Sequence, residues 1–484
     1  MKNSTFGFSL IVFGLVFSGI AIDCYSQSTP NPVERWGQLS VINSQLCSAD
    51  GKPVQLKGLS LYDTTNYSDF ANVSLLKWLR DDWKATVFRA AMYTTLNNKF
   101  IGDGVFKNSF AAIQAAIDAG MYVMVDWHIA NNDGDPNINK EYAKDFFTQV
   151  ATQFGSYPNV IYEICNEPNG AAVTWSEKVK PYAMEVISVI RAIDKNNVIL
   201  VGTPQWSQHP EQAAQDPLPF ANVLYVLHYY AGSHNQIAFL SQIDTAKSQG
   251  AGTYISEWGV TKDSGQGAIA VERSISWIAE LNKRQLSWAN WSLATKPEPC
   301  SVLKPLASNQ GGWRVTELTD SGILIRALMR GEASGPIFAD GFDSANFKVG
   351  GWIREGASLD RTTGQAGGNS LRFEGKGAMT KNLPVESASD LKLEFWYKSA
   401  SLGKSDKFNI EWSGDGNNWK VLATMGAGLA SPDWKLYSLN LPAAPAGGGS
   451  YLMRLRSDFA SAKAQFWVDE LVVSATRAGI VAQP

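Results

Sequence analysis

Two glutamates in this 484-residue sequence lie where a short apolar run reaches its end. The stretch "NVIYEICNEPNG" (159–170) brings Asn166 and Glu167 to the end of one run, and "TYISEWG" (253–259) brings Glu257 to the end of another. A carboxylate at the end of a buried strand is costly to desolvate, so it calls for a partner or a function. Two carboxylates that flank one cleft are the groups that glycosidic-bond hydrolysis requires. One protonates the leaving oxygen, while the other acts as nucleophile or activates a water.

Other apolar runs share the length and composition of these two, and helical patterns separate most of them. The eight runs are 54–61, 86–93, 122–129, 160–167, 198–206, 223–230, 253–259 and 286–293. The stretch "FAAIQAAIDAG", which ends in Gly120, is typical of the helices between them. Near-continuous apolar strands that alternate with helices predict a parallel sheet closed into a (β/α)8 TIM barrel. We place this catalytic domain at residues 31–330.

The C-terminal ends of the strands of such a barrel face one mouth, where active sites lie. Polar or aromatic groups occur at or near six of these ends: Arg89, His128, Asn166, Glu167, His228, Tyr230, Glu257 and Trp291. Each of them alone has a structural explanation, as a strand end or as a satisfied polar residue of the core. Their coincidence at one mouth predicts an active site built around Glu167 and Glu257.

The character of the sequence changes after "GEASGP" (331–336), which we interpret as a short linker. From 337 to 477 polar and apolar residues alternate between turns rich in Gly, Asp and Asn, and no helical pattern occurs. This pattern predicts a smaller, all-β accessory domain, an antiparallel sandwich of the jelly-roll kind.

Two functions remain open for the predicted sandwich: carbohydrate binding, or a role as a spacer or surface-interaction module. Exposed aromatic rings would favour sugar binding, and the candidates are Trp352, Trp412, Trp419 and Trp434. Acidic residues such as Asp343 and Asp469 could hold a structural Ca²⁺, since calcium prefers oxygen ligands.

Composition limits the partners of the protein. The formal net charge is −3, and without a basic excess nucleic acid and anionic membrane surfaces are not expected partners. Removal of the N-terminal segment with Cys24 would leave three cysteines, an odd number that argues against a disulfide framework. The cysteines show no CxxC spacing, which argues against a thiolate metal site. Cys165, inside an apolar run, is expected to be a small buried hydrophobic residue.

The N-terminus has the pattern of an export signal. Lys2 precedes the apolar segment 6–22, and small residues follow it, so we predict a signal peptide at 1–26 that is cleaved after Ser26. A membrane anchor and a lipid attached to Cys24 remain open as alternatives. No second hydrophobic span follows, so we expect a secreted protein without a membrane span, extracellular or periplasmic.

Blocks of the sequence, in this order, resemble the signature blocks of glycoside hydrolase family 5, specifically its subfamily 2 of bacterial endo-β-1,4-glucanases. The blocks are "FRAAMYT", "VDWHI", "VIYEICNEPNG", "VLHYYAGSH", "YISEWGV" and "NWSLATKPE". The resemblance covers about residues 33–330. It implies a retaining hydrolase of cellulose and related β-glucans that requires no cofactor and no catalytic metal. The segment after it is similar to jelly-roll modules of secreted bacterial enzymes, and we expect a monomer.

The resemblance also implies roles for individual residues. Glu167 would be the general acid/base and Glu257 the nucleophile, kept ionised with the help of Arg89. Asn166 would hold the 2-hydroxyl of the sugar. The other residues implied to bind substrate are Tyr93, His128, His228, Tyr230, Trp291, Lys296 and Glu298. Of these, Trp291 would be the sugar platform, and the last two would bind glucose further along the non-reducing side.

One departure from the family pattern concerns the stretch after the first strand. Members usually carry a tryptophan there that stacks on a sugar, whereas this sequence has "SLYDTTNYSDF", with Asn66 near that position. Tyr62 or Tyr67 could replace the missing ring, so the strength with which the protein binds distal glucose units remains an open question.

Three other functions also remain open. A related barrel hydrolase could act mainly on mannan, xyloglucan or mixed-linkage glucan. A non-catalytic glycan-binding protein and a metal-dependent hydrolase are the others, although both glutamates are present and no His-x-His motif is.

Overall fold

The computed structural model describes residues 30–96, 99–100, 103–129, 134–344, 347, 350–445 and 449–481. The predicted signal peptide, 1–26, lies outside the described residues. From Asn31 onward the chain forms one compact unit. Within the part of the chain that is described, none of the helices combines the length and the apolar character needed to cross a membrane.

The first part of this unit alternates strands and helices. Its strands are β1 (Ser40–Ile42), β2 (Gln45–Cys47), β3 (Lys57–Leu61), β4 (Val87–Tyr93), β5 (Thr95–Leu96), β6 (Lys99–Phe100), β7 (Tyr122–His128), β8 (Val160–Glu163), β9 (Val198–Val201), β10 (Val223–Val226), β11 (Tyr229–Tyr230), β12 (Thr253–Gly259) and β13 (Trp288–Leu293). Its helices are α1 (Pro32–Trp36), α2 (Val73–Asp81), α3 (Phe106–Asp118), α4 (Lys140–Phe154), α5 (Lys180–Ile193), α6 (Pro204–Ser207), α7 (Pro210–Gln215), α8 (Gln236–Ser248), α9 (Val271–Arg284) and α10 (Asp320–Arg330).

Eight of these strands close a barrel. They pair in the order β10-β9-β8-β7-β4-β3-β13-β12, and β10 pairs with β12 to complete the circle. Every one of these pairings is parallel. The predicted TIM barrel is confirmed.

Strand β4 shows how the sequence directs side chains to the two sides of the barrel wall. Phe88, Ala90 and Met92 belong to the hydrophobic layer shared with the helices, whereas Val87 packs in the cluster that fills the lower barrel. Because side chains alternate along a strand, Arg89 lies on the same inward face as Val87, two residues nearer the mouth. The interior of the barrel is therefore apolar at its lower end and polar nearer the mouth.

The second part of the unit consists of antiparallel strands. They are β14 (Ser334–Asp340), β15 (Trp352–Glu355), β16 (Ser358–Asp360), β17 (Ser370–Glu374), β18 (Lys376–Asn382), β19 (Ala388–Ala400), β20 (Lys407–Ser413), β21 (Lys420–Met425), β22 (Lys435–Asn440), β23 (Leu452–Asp458) and β24 (Gln465–Arg477). One sheet has the order β16-β17-β24-β19-β22 with β14 on β24, and the other has the order β15-β18-β23-β20-β21. A hydrophobic cluster of its own joins them, as expected of a sandwich.

Strand β14 begins at Ser334, inside the predicted linker 331–336. The chain leaves α10 at Arg330 and therefore enters the sandwich almost at once. The domain limits themselves stay a prediction.

The sandwich tryptophans do not offer bare rings to solvent. Trp352 is 5% exposed and its indole N–H donates to Asp340. The rings of Trp412, Trp419 and Trp434 are partly buried, and a cationic side chain lies over each of them. Sugar binding by an exposed tryptophan platform is therefore not favoured.

The candidate calcium ligands already have protein partners. Both oxygens of Asp469 accept backbone N–H groups, from Gln365 (2.6 Å) and Glu470 (2.8 Å). Asp343 accepts a hydrogen bond from the guanidinium of Arg314 at 2.7 Å. A cationic neighbour and occupied oxygens do not favour a cation here. Calcium binding stays a prediction.

Candidate active site

Arg89 gathers acidic side chains from neighbouring barrel strands. It donates to Glu163 from Nε and Nη2 (2.7 and 3.2 Å) and to Glu257 Oε2 from Nη1 (3.0 Å). Its Nη2 also donates to Asn166 Oδ1 (2.6 Å) and lies 2.9 Å from Asp126. Burial opposes the charge of Arg89, but the surrounding carboxylates outweigh it and raise its pKa. Arg89 thus stays charged and fixes both Asn166 and Glu257.

His228 connects Glu167 to a buried carboxylate. Its Nδ1 lies 3.0 Å from Glu167 Oε1, and its Nε2 lies 2.9 Å from Ser256 Oγ, which donates to Glu163 at 2.6 Å. Burial disfavours a charged ring, but Glu163, Glu167 and Glu257 outweigh it and raise the pKa of His228 to about 9. An imidazolium at neutral pH therefore donates its Nδ1–H to Glu167.

His128 has the opposite protonation state. Burial and the charge of Arg89 lower its pKa to about 4, so the ring is neutral near pH 7. Its Nδ1 lies 2.7 Å from Asp126 Oδ2, and burial raises the pKa of Asp126 in turn. The ring stacks on Trp291 at 5.3 Å and packs against Tyr93 at 4.3 Å. His128 and its aromatic neighbours form one wall of the mouth.

The two proposed catalytic glutamates face each other across a short gap. Tyr230 donates its hydroxyl to Glu257 Oε1 at 2.7 Å, and burial together with the charge of Glu257 raises the pKa of Tyr230 well above its usual value. Both oxygens of Glu257 are therefore held, one by Tyr230 and one by Arg89. A carboxylate oxygen of Glu167, one of Glu257 and a ring nitrogen of His228 all lie within 4.8 Å of one another.

Those three residues are also the group, among the described residues, whose spacing would suit a metal ion. A metal needs a deprotonated imidazole, whereas the neighbouring carboxylates outweigh burial and raise the pKa of His228, and both of its ring nitrogens are in hydrogen bonds. The donor set is therefore better suited to proton transfer than to a metal.

Further from the glutamates, an aromatic wall continues towards Lys296. The ring of Tyr62 lies 5.3 Å from that of Trp291, and its hydroxyl accepts a hydrogen bond from Lys296 at 2.8 Å. Lys296 also pairs with the buried Glu298 at 2.7 Å. The structure thus brings Lys296 and Glu298 next to the mouth, at the end of this wall.

Asn66 does not take the place of a stacking ring. It is exposed, and its side-chain amide donates to Asp63 in the same turn. Tyr67 packs edge-on against Tyr62 at 5.6 Å. Two tyrosine rings therefore pack together in the same stretch as Asn66, and replacement of the missing tryptophan by either of them stays a prediction.

The comparisons with known proteins agree with this geometry. A family model described as Cellulase (glycosyl hydrolase family 5) matches residues 47–297. The chain belongs to this family. The expected family, enzyme class and fold are thereby confirmed, and the chain is a glycoside hydrolase of the cellulase type.

Named relatives of this family 5 chain are endoglucanases. Endoglucanase A of Evansella cellulosilytica is 46% identical over 69% of this chain and 68% of its own length. Endoglucanase 5 of Pectobacterium carotovorum is 37% identical over 90% of this chain and 84% of its own, a match that must extend into the sandwich. A variant of the catalytic domain of Thermobifida fusca endoglucanase Cel5A, solved with cellotetraose, is 34% identical with a TM-score of 0.58, covering 62% of this chain and 99% of that one.

The residues at the mouth of this family 5 barrel include several that strand ends alone did not predict. Asp126, Glu163 and Ser256 lie in the layer below the glutamates and bind His128, Arg89 and His228. Asp126 could have been found, because it lies two residues before His128 on the same face of β7.

Trp206 is a further aromatic residue at the mouth. It is 42% exposed, and its backbone N–H donates to the carbonyl of Pro168 at 3.0 Å, directly after Glu167. The next residue, Ser207, donates its hydroxyl to Asn166 O at 2.6 Å. The turn that carries Trp206 is thus bonded to the segment that carries the acid. Trp206 is the last residue of the predicted run 198–206, so its position was a usable signal, although β9 ends at Val201 and a turn carries the ring.

Proposed function

We propose that this family 5 hydrolase cleaves internal β-1,4 bonds of cellulose and related β-glucans with retention of anomeric configuration. Its endoglucanase relatives and the neighbour solved with cellotetraose support the substrate class. The observation that carries the mechanism is the gap of at most 4.8 Å between oxygens of Glu167 and Glu257. Retaining enzymes hold their carboxyl groups about 5–5.5 Å apart, and inverting enzymes about 6.5–9.5 Å.

In the first step Glu257 attacks the anomeric carbon while Glu167 protonates the departing oxygen. The bond from the anomeric carbon to the leaving sugar breaks, and an ester bond to Glu257 forms. Arg89 and Tyr230 hold Glu257 at both oxygens, so the attacking carboxylate is positioned before the substrate arrives. His228 orients Glu167 through one oxygen and leaves the other to carry the proton.

In the second step a water attacks the same anomeric carbon and gives its proton to Glu167. The ester to Glu257 breaks, and the sugar leaves with its original configuration. The same residue is thus acid in one step and base in the other.

The remaining residues bind the sugars on either side of the cleaved bond. Trp291 offers a ring on the side of Lys296 and Glu298, and Trp206 offers an exposed ring beside Glu167. Flat rings pack well against the apolar faces of sugars. We assign the sugar that is attacked to Trp291 and the leaving sugar to Trp206.

We further propose that the enzyme is exported and acts as a monomer. The apolar segment 6–22 with small residues after it supports export, and the net charge of −3 supports a neutral polysaccharide over nucleic acid. The proposed reaction requires no cofactor.

Substrate preference among β-linked polysaccharides separates this proposal from its alternative. A hydrolase acting mainly on mannan or mixed-linkage glucan would share the same two glutamates. Parallel product analysis on carboxymethyl-cellulose, lichenan and mannan with one preparation distinguishes them.

The proposal assigns different tasks to the two glutamates, and this division is testable. Glu257→Gln should abolish turnover of every β-glucoside, because no covalent intermediate forms without the carboxylate. Glu167→Gln should spare the first step with an aryl glycoside of an acidic phenol, which hardly needs protonation. On cellulose the same variant should lose about 10²–10⁴-fold, the usual contribution of general acid catalysis.

Added azide gives the matching signature. It should rescue Glu167→Gln on activated substrates and yield a β-azide, since azide needs no general base. With Glu257→Gln it should yield an α-azide by direct displacement. An α-azide from Glu167→Gln together with a β-azide from Glu257→Gln would show that the roles of the two glutamates are exchanged. Full activity in both variants would refute the proposed site.

A further inference from the structure

A cleft of about 410 Å³ lies between the barrel and the sandwich. Residues 267–269 and part of 296–305 form its barrel wall, and residues 381–384 with Glu386 form much of its sandwich wall. Its volume falls within the range of roughly 300–1,000 Å³ that is usual for ligand sites. The reaction described above uses none of the sandwich residues that line it.

The cleft begins where the aromatic wall of the active site ends. Lys296 and Glu298 line it, and Lys296 is the residue that binds the hydroxyl of Tyr62. Tyr62 in turn packs on Trp291 at 5.3 Å. A glucan chain that runs from Trp291 past Tyr62 and Lys296 therefore passes directly into the space between the barrel and the sandwich.

The walls combine apolar residues with polar and charged residues in similar numbers. Their apolar residues are Ile269, Pro297, Pro299, Leu303, Pro305, Leu383 and Pro384. Their polar residues beyond Lys296 and Glu298 include Asp320, Lys381, Asn382 and Glu386. Apolar surfaces interspersed with polar and charged groups match sugar rings, which have apolar faces and hydroxyl edges.

The two walls are fixed relative to each other by bonds across the base of the cleft. Lys381 of the sandwich donates to Asp320 of α10 at 3.1 Å, and Lys304 of the barrel donates to the carbonyl of Ala339 at 2.7 Å. Both lysines are buried. A cleft whose walls are already in place costs little ordering when a ligand enters.

We propose that this cleft binds the distal sugar units of the β-glucan chain, so that the sandwich completes the substrate site of the barrel. The proposal rests on the β-glucan hydrolysis proposed above. It gives the sandwich a role in substrate binding that needs no exposed tryptophan, since the exposed Asn382 and Glu386 line the cleft and would supply polar groups to the sugar hydroxyls, the amide N–H groups in the case of Asn382.

The test fills the cleft without touching the catalytic residues. Ala268 is exposed, lies in an irregular loop and lines the cleft, so Ala268→Trp places a large ring inside it. Ala427 is exposed on the sandwich and does not line the cleft, so Ala427→Trp is the matched control. Both variants and the wild type are assayed for kcat/KM on the series from cellotriose to cellohexaose.

We expect Ala268→Trp to match the wild type on the shortest substrate that is cleaved. On the longest it should lose about five- to tenfold in kcat/KM, as removal of one or two sugar contacts would give. Ala427→Trp should follow the wild type at every length. Asn382→Ala removes an amide from the sandwich wall without filling the cleft, and it also removes the acceptor of the Tyr451 N–H (3.0 Å), so urea unfolding accompanies its kinetics. It should show a smaller loss in kcat/KM confined to the long substrates.

Three results would overturn the proposal. The first is the same dependence of kcat/KM on substrate length in Ala268→Trp and Ala427→Trp. The second is a loss of kcat/KM that has the same size at every length in both Ala268→Trp and Asn382→Ala. The third is a wild-type kcat/KM that does not rise with substrate length. If the wild type cleaves none of the series, the proposed hydrolysis itself fails, and this outcome is distinct from a failure of the cleft alone.

Discussion

Arg89 and His228 are cations at the mouth, and each binds a different proposed catalytic glutamate. Arg89 binds Glu257, and His228 binds Glu167. Glu163 joins the two cations, because it accepts from Arg89 directly and from His228 through Ser256. Arg89 and His228 outweigh the effect of burial and lower the pKa of Glu163 to about 2. The geometry of the reacting groups therefore depends on a carboxylate that touches no substrate.

The two histidines at the mouth should titrate far apart. Burial and Arg89 lower the pKa of His128 to about 4, whereas the glutamates around His228 outweigh burial and raise its pKa to about 9. The sequence contains only four histidines, so ring ¹⁵N NMR can resolve them, and single His→Asn variants assign the signals. His128 should be neutral and His228 charged throughout pH 5–8. A common midpoint near 6.5 for both would contradict the charge arrangement.

The same shifts fix how stability changes with pH. In the folded protein the pKa of His228 is about 9, above the unfolded value of about 6.5. Its contribution to the free energy of unfolding is therefore complete below about pH 6.5 and is lost as pH rises towards about 9. In the folded protein the pKa of His128 is about 4, below the unfolded value, so its contribution to the free energy of unfolding is lost as pH falls towards about 4. The free energy of unfolding, measured by urea titration, should fall on both sides of about pH 6.5. In His228→Asn the alkaline decline should be smaller, and an unchanged decline would assign it to other groups.

At this scale, the apolar runs identified residues that the structure brings together at the mouth. Arg89, Glu167 and Glu257 lie within or at the end of such runs, and Arg89 binds Glu257. Ser256 could not be predicted beside Glu257, since neighbours on a regular strand face opposite sides. A register shift between Ile255 and Trp258 on β12 accompanies their joint presence at the site, and no local sequence signal marks such a shift.

Among the elements, the connection after β9 does the most to place the acid. Gly202 passes so close to the Cys165–Pro168 segment that an added Cβ would lie 2.3 Å from the carbonyl oxygen of Cys165. The Ser207 hydroxyl and the Trp206 amide donate to carbonyls of the same segment. The segment that carries Glu167 is therefore held in place by close packing with Gly202 and by hydrogen bonds from the turn that carries Trp206.

Gly202→Ala should damage activity more than folding. The added methyl would push the backbone that leads into Asn166 and Glu167, at a cost of about 1–3 kcal/mol, typical of overpacking. A displacement near 1 Å at the acid is expected to lower kcat/KM by about 10²-fold. Gly104→Ala is the matched control, because its Cβ would meet nothing within 4 Å. Urea unfolding and kinetics on a soluble β-glucan check both effects, and equal behaviour of the two variants would show that Gly202 is not tightly packed.

The order of strands in the barrel followed from the sequence, whereas the pairing in the sandwich did not. Parallel neighbours in a β/α barrel are successive in the chain, so apolar runs alone define them. In the sandwich, β14 pairs with β24, and Ser334 lies opposite Thr476. Antiparallel partners so far apart leave no local pattern, because turn residues predict only hairpins between consecutive strands.

On the scale of the whole molecule, the sandwich is joined to the barrel by more than a linker. Arg314 donates to both Asp343 and Glu470 of the sandwich, at 2.7 and 2.5 Å. Ile480, which follows the last sandwich strand, belongs to the hydrophobic cluster of the barrel. Removal of the chain after Ser334 would therefore expose apolar surface of the barrel, so a truncated barrel should be less stable even if its active site is intact.

Ile480→Ala tests whether the barrel and the sandwich unfold together. The side chain is 8% exposed, and its loss should lower the free energy of unfolding by about 2–4 kcal/mol, as for other buried Ile→Ala changes. Because this residue belongs to the chain of the sandwich but packs in the barrel cluster, the loss should appear as a shift of one cooperative transition. Val481→Ala is the matched control, since Val481 is 67% exposed and its substitution should change stability by less than about 0.5 kcal/mol. Calorimetry with tryptophan fluorescence and circular dichroism on the same samples makes the measurement. Two separate transitions, with only one moved by Ile480→Ala, would show that the barrel and the sandwich fold independently and that the cleft between them is not held rigid.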